Sequence, residues 1–289
     1  MLYRQRILLK IIQKTGGNVS LLQLMKWSFL LHQETPSGGG STFYGFIPYL
    51  YGPYSFTLNR EVDVLVRNGF LKKQESNRWQ LTPVGQQQEV RLPNQIHEDI
   101  STVINEYGKL SISELKNTVY HHYPWFTINS TIDNKCKPER PIAPLAIYTA
   151  GYEKKTVDDF LNLLMQSGIQ KLIDVRYNPI ARRYGFHKST LQKLCHSLDI
   201  DYQHLPGLGI PGAARKNLNS SDRYQSLFEG YRSNLCNCPD DIETVISLLT
   251  SQPSVLVCME ANPECCHRNI LAQYIAGIIN LPIEHLRYS

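Results

Sequence analysis

Cys258, Glu260, Cys266, His267 and Arg268 stand within eleven consecutive positions, so two thiols, a carboxylate, an imidazole and a guanidinium share one short stretch of chain. Thiolates are nucleophiles and metal ligands, carboxylate and imidazole exchange protons near neutral pH, and guanidinium pairs with phosphate or carboxylate. A second group lies upstream. Asp174 is followed by Arg176, Asn178, Arg182, Arg183 and Phe186, and Tyr152-Glu153 precede it. An acid beside three arginines has two readings: an ion-paired carboxylate that orders a loop, or a charged catalytic group whose arginines bind phosphate.

These residues need elements to position them. Val255-Leu256-Val257 reads as a strand buried on both faces. Cys258 and Glu260, two apart, point to one side of an extended backbone. Asn262-Pro263 breaks the strand, and the apolar spacing from Asn269 predicts a helix ending at Gly277. Leu145–Thr149 and Lys171–Val175 read as further strands, with an amphipathic helix from Val157 to Gln166 between them, a β-α-β unit. Helices over Lys188–Leu198, Arg223–Arg232 and Ile242–Thr250, a short strand at Ile200–His204 and a last strand near Ile283–Leu286 complete an α/β domain over residues 145–289, its sheet mostly parallel and flanked by helices. In such sheets ligands bind at the carboxyl ends of strands. Glu153, Asp174 and Glu260 are therefore expected to converge, with Arg176, Arg182, His267 and Arg268 around them.

The 289 residues suffice for two domains, and no run of about 18 apolar residues predicts a membrane span. A cytoplasmic protein with reduced thiols is expected from seven scattered cysteines. Cys236/Cys238 and Cys265/Cys266 lack the usual zinc-ligand spacing, so neither a metal nor another cofactor is expected. Residues 1–141 hold 16 Lys+Arg against 11 Asp+Glu, the whole net excess of five, while the remainder balances. This favours a nucleic-acid partner for the first half.

That half reads as an α+β domain over residues 1–133. Gln5–Lys14, a helix capped by Ser20, and Leu58–Asn68 are followed by two short strands, Gly69–Lys73 and Arg78–Thr82. Helix, helix, helix, hairpin is the order of a winged helix-turn-helix, which offers Arg60, Arg67, Lys72, Lys73 and Arg78 to a phosphate backbone. Leu24-Met25-Lys26-Trp27, Tyr51-Gly52-Pro53-Tyr54, Leu81-Thr82-Pro83 and Tyr120–Trp125 give it a resemblance to the SocA-like antitoxin-associated domain called Panacea. The resemblance implies a recognition module for DNA or a protein partner. The proline-rich, charged stretch 134–144 reads as a linker.

The second domain resembles the bacterial family of domain of unknown function four-eight-eight. The matching residues are Thr149–Glu153, Asp174–Pro179 with Arg182 and Phe186, Tyr202–Leu205 with Leu208-Gly209, and Cys258–Pro263 with Cys266-His267-Arg268. The resemblance implies an α/β fold, a pocket holding Asn178 and His204 with the charged groups above, and action on nucleic acids. The expected set suits hydrolysis of an N-glycosidic bond in a nucleotide or a flipped base of foreign or modified DNA. Asp174 and Glu260 would be the catalytic carboxylates, aided by His267 and Glu153. Arg176 and Arg268 would grip phosphate, and Tyr152 or Phe186 would stack on the base. Three alternatives are a nucleotide-sensing DNA-binding regulator, a metal-dependent nuclease, and a thiol enzyme using Cys258 or Cys266.

Overall fold

A computed structural model describes residues 1–132, 137–215 and 221–287, so Asn134, Lys135 and Cys136 of the expected linker lie outside the described residues. The chain divides into two compact units, Met1–Glu139 and Arg140–Ser289.

The first unit opens with α1 (Tyr3–Lys14), β1 (Asn18–Ser20) and α2 (Leu21–Glu34). Ser20 caps α2 through a reciprocal capping box with Gln23, satisfying two backbone donors at its start. A small hairpin, β2 (Ile47–Tyr49) and β3 (Gly52–Tyr54), leads into α3 (Phe56–Arg67), β4 (Leu71–Gln74) and β5 (Arg78–Leu81). Helices α4 (Pro83–Gln87), α5 (Asn94–Tyr107) and α6 (Ile112–His122) follow. The predicted helices and hairpin are present. The elements not foreseen are β1, which pairs antiparallel with β5 in a sheet ordered β1-β5-β4, the β2–β3 hairpin, and the helices α4, α5 and α6. A three-residue strand is too short to show an alternation of apolar side chains.

The apolar faces of α1, α2, α3, α5 and α6 close on one core around Trp27, Phe29, Leu58 and Leu65. Arg60 and Arg67 on α3 and Lys72 and Lys73 on the edge strand β4 are exposed. Arg78 differs from the expected phosphate contact, because its guanidinium donates to the side-chain and backbone oxygens of Asn18 and ties β5 to β1.

The second unit contains β6 (Ile147–Gly151), α7 (Val157–Gln166), β7 (Lys171–Asp174), α8 (Lys188–His196), β8 (Asp201–His204), α9 (Ser221–Asn234), α10 (Pro239–Ser251), β9 (Ser254–Cys258), α11 (His267–Ile279) and β10 (Ile283–Leu286). Its five strands are all parallel, in the order β10-β6-β9-β7-β8, with helices against the sheet. The central strands β6 and β9 are buried at every position, which explains why they read as continuous apolar runs. Thr156 caps α7 in a box with Asp159. Helix α11 corrects the expected bounds: it begins at His267 and runs through Gly277 to Ile279, where Asn280 takes a left-handed conformation (φ 50°). Asparagine tolerates that conformation, and Pro282 lies just beyond it. No helix among the described residues is long and apolar enough to cross a membrane.

The first unit also buries a charge-bearing side chain. Lys26, 1% exposed, donates from Nζ to the Tyr51 carbonyl at 2.6 Å and the Pro53 carbonyl at 3.4 Å. Gly52 between them has φ +85°, and a Cβ there would stand 2.7 Å from Nζ, so the Tyr51-Gly52-Pro53 turn is shaped around the amine. Burial lowers the Lys26 pKa to about 7. The unfolded chain holds this proton up to about pH 10.4. Between these values the folded state therefore binds fewer protons, and stability rises with pH. Thermal or denaturant unfolding of the first unit should show roughly 2 kcal/mol of added stability from pH 7.5 to 9.5, a gain that Lys26→Met abolishes. Parallel pH profiles for the two chains would refute this assignment.

Candidate functional site

The carboxyl ends of β6, β7 and β9 lie side by side, as the parallel register requires: Gly151 pairs with Cys258, and Asp174 with Val257. The expected site residues divide there into two clusters with different characters.

Asp174 is fully buried. Its Oδ1 accepts from the backbone N–H and Nε of Arg176 at 3.1 and 2.7 Å, and its Oδ2 accepts from Arg176 Nη2 at 2.5 Å and the Tyr202 hydroxyl at 2.6 Å. Burial and the Asp174 charge push the Tyr202 phenol up, so it stays a donor. Arg176 spends its remaining nitrogen, Nη1, on the Tyr152 hydroxyl at 2.9 Å and the Phe186 carbonyl at 2.8 Å. Tyr152 and Phe186 are buried and stack on each other with centroids 4.1 Å apart. His204 Nε2–H donates to the Arg176 carbonyl at 2.9 Å. The geometry therefore favours the first of the two readings of Asp174, a bidentate ion pair ordering the loop after β7. It argues against Asp174 as a catalytic carboxylate, Arg176 as a phosphate grip and Tyr152 or Phe186 as a base platform. Both oxygens, the guanidinium and both rings are already engaged. Asn178 and Arg182 are exposed on that loop.

The second cluster is organised differently. Cys258 ends β9, and Cys266 and His267 stand at the start of α11. Glu260 Oε2 accepts from both thiols, each at 3.0 Å. His267 Nδ1 lies 3.8 Å from Cys258 Sγ and 3.9 Å from Cys266 Sγ. Its other nitrogen, Nε2, is 3.1 Å from the Val175 carbonyl. A carbonyl can only accept, so Nε2 carries a proton and Nδ1 is the nitrogen that faces the sulfurs. The edge of the His267 ring packs against Tyr231 at 5.3 Å. Hydrogen bonding from Cys266 holds the Cys258 thiol well below its ordinary range, while burial and the same contact push Cys266 up. Burial, then the Cys258 charge, raises the Glu260 carboxyl.

Arg268 is 1% exposed and donates to the backbone carbonyls of Glu260 and Ala261. It holds the turn rather than a phosphate, another departure from expectation. Glu153 braces the same turn: its Oε2 accepts from the Ala261 N–H at 3.0 Å, and its own N–H donates to the Met259 carbonyl. Beside these residues opens a cleft of about 500 Å³ lined by Gly151, Lys155, Ala261, Asn262, Pro263, Glu264, Leu286 and Arg287. Lys155 and Arg287 were not singled out in the sequence. Each lies outside a motif, and only the adjacency of β10 and β6 brings them together.

Among the described residues, the donors grouped so as to hold a metal ion are Cys258, Cys266 and His267, all buried, with ligand atoms within 4.8 Å of one another. Sequence spacing concealed this set, because the cysteines sit on two elements that only folding juxtaposes.

Asp174→Ala would leave the Arg176 charge buried without its acid. Unfolding of the second unit should show a loss of about 3 kcal/mol or more. A loss under about 1 kcal/mol, typical of an exposed pair, would contradict the structural role given to Asp174.

No curated protein and no solved structure matches the chain. The family model described as Domain of unknown function DUF488 matches residues 156–275, so the resemblance read from the motifs of the second unit is borne out over that stretch.

Proposed function

We propose that the protein acts on nucleic acid, hydrolysing an N-glycosidic bond of a DNA base or nucleotide, with Glu260 as the principal catalytic carboxylate. The observation that supports this best is the cleft at the carboxyl ends of β6, β9 and β10. It adjoins the turn that carries Glu260 and is bordered by the basic side chains of Lys155 and Arg287. A cleft of this size suits a nucleotide, and two cations at its rim suit a phosphate.

Carboxylates in unlike environments can divide the work of acid and base. Half-buried Glu260 and exposed Glu153 stand on neighbouring strand ends and take the place of the expected Asp174–Glu260 pair. In this reading Glu260 takes a proton from water as the oxygen attacks the sugar carbon, and the departing base leaves with the bonding electrons and is protonated. His267 is buried and acts through the thiols, as a positioning residue. The first unit, with helix α3 and the edge strand β4 exposing Arg60, Arg67, Lys72 and Lys73, would hold the phosphate backbone.

Incubation of the purified chain with ordinary and base-modified DNA, followed by mass spectrometry and alkaline cleavage, tests this. Free base and abasic sites are expected, with kcat lowered roughly 100-fold or more by Glu260→Gln. Arg287→Ala should raise KM with a smaller effect on kcat. DNA bound tightly without any released base would overturn the glycosidic reading in favour of a ligand-sensing regulator.

A further inference from the structure

We propose that Cys258 Sγ, Cys266 Sγ and His267 Nδ1 form a zinc site, with Glu260 beside its two sulfurs. This deepens the hydrolytic reading of the same site and rests on it for any role in catalysis, though not for metal binding itself.

Three observations converge. The first is geometric. Zinc binds sulfur at about 2.3 Å and nitrogen or oxygen at about 2.0 Å in a tetrahedron, so neighbouring ligand atoms should stand roughly 3.3–3.8 Å apart. The His267 nitrogen lies 3.8 and 3.9 Å from the two sulfurs, and the Glu260 oxygen 3.0 Å from each. The two sulfurs and the nitrogen, all within 4.8 Å of one another, are thus spaced nearly as three ligands of a tetrahedral ion, while the Glu260 carboxylate lies against the sulfurs and outside that set.

The second observation is the state of the imidazole. A histidine that ligates through one nitrogen generally donates the other N–H to a carbonyl or carboxylate, which fixes the tautomer and aims the lone pair. The Val175 carbonyl does this for His267 at 3.1 Å. The carbonyl belongs to the residue just after β7, so the sheet itself sets the ring's orientation.

The third concerns charge. Two thiols and a carboxylate share a site in which Cys258, Cys266 and His267 are each at most 2% exposed. Arg176 is committed to Asp174, Tyr152 and Phe186, and Arg268, which donates to the carbonyls of Glu260 and Ala261, brings one positive charge near Cys266, fewer than three acids require. A buried group of acids is costly unless a cation offsets it. A divalent ion supplies that charge and deprotonates the thiols outright. Soft sulfur with borderline nitrogen selects zinc over magnesium or calcium, which prefer oxygen. With three protein ligands the fourth position would be left to water, and Glu260, hydrogen-bonded to both sulfurs, would stand beside it as the group to accept that water's proton.

The test uses the full chain, purified under reducing conditions without chelator. About one zinc per chain is expected by elemental analysis. Replacing it with cobalt should give a sulfur-to-metal charge-transfer band in the near ultraviolet and intense visible bands of tetrahedral coordination. Cys258→Ser, Cys266→Ser and His267→Ala should each weaken metal affinity roughly tenfold or more, and Cys195→Ser and Cys236→Ser should not. Circular dichroism identifies any variant that fails to fold, and the cobalt spectrum of the unaltered chain stands independently of the variants. Unaltered chain that retains no zinc and gives no tetrahedral cobalt spectrum would overturn the proposal. Base release is assayed separately, so a zinc-loaded chain that releases no base upholds the metal site while removing the glycosidic reading.

Discussion

The second unit depends on how closely the turn after β9 can return to the end of β6. Gly151 pairs with Cys258 across the two strands, and a Cβ on Gly151 would stand 1.9 Å from the Glu260 carbonyl oxygen. No side chain fits there, so only glycine lets residues 259–261 fold back against β6. Everything else in the site follows from that approach. Glu153 reaches the backbone of Ala261 and Met259, Arg268 fastens the carbonyls of Glu260 and Ala261, and the Glu260 side chain turns inward to the thiols. The constraint is steric, and the polar contacts hold a path it has already selected.

A second constraint separates the two charged clusters. Adjacent strands in a parallel sheet deliver their last residues to one edge, but burial decides what each can do there. Asp174 is the last residue of β7, fully buried, and meets Arg176 two residues on, with Tyr202 from the next strand completing its shell. A buried carboxylate so satisfied is stable as a charge and poor as a reagent. Glu260 lies past the end of its strand, half-buried, with thiols rather than a guanidinium as neighbours. Two acids of the same type thus take different parts because of position alone.

Much of this architecture was legible from the amino acids. Continuous apolar runs marked β6 and β9, the spacing of Val157 to Gln166 marked α7, and the short distance from Cys258 to His267 marked the reactive turn. What stayed hidden depended on three-dimensional context. The three arginines after Asp174 suggested surplus charge for a ligand, yet Arg176 is used up by one acid, one hydroxyl and one carbonyl. Tyr152 and Phe186 read as a platform for the base, but they are buried and stack on each other. The donor set of Cys258, Cys266 and His267 has no recognisable ligand spacing, because one member comes from a strand end and two from a helix start. In the first unit, Lys26 sits in an apolar helical stripe where an exposed snorkelling amine would be the ordinary expectation. Its burial is explained by two carbonyls of a turn 25 residues away.

The central claim is that two sulfurs and one imidazole nitrogen face a single point at the end of β9. X-ray absorption at the zinc edge of the purified full chain tests it most directly. The account predicts two sulfur scatterers at about 2.3 Å with nitrogen or oxygen at about 2.0 Å. A shell of nitrogen and oxygen alone, or no bound zinc to measure, would contradict it.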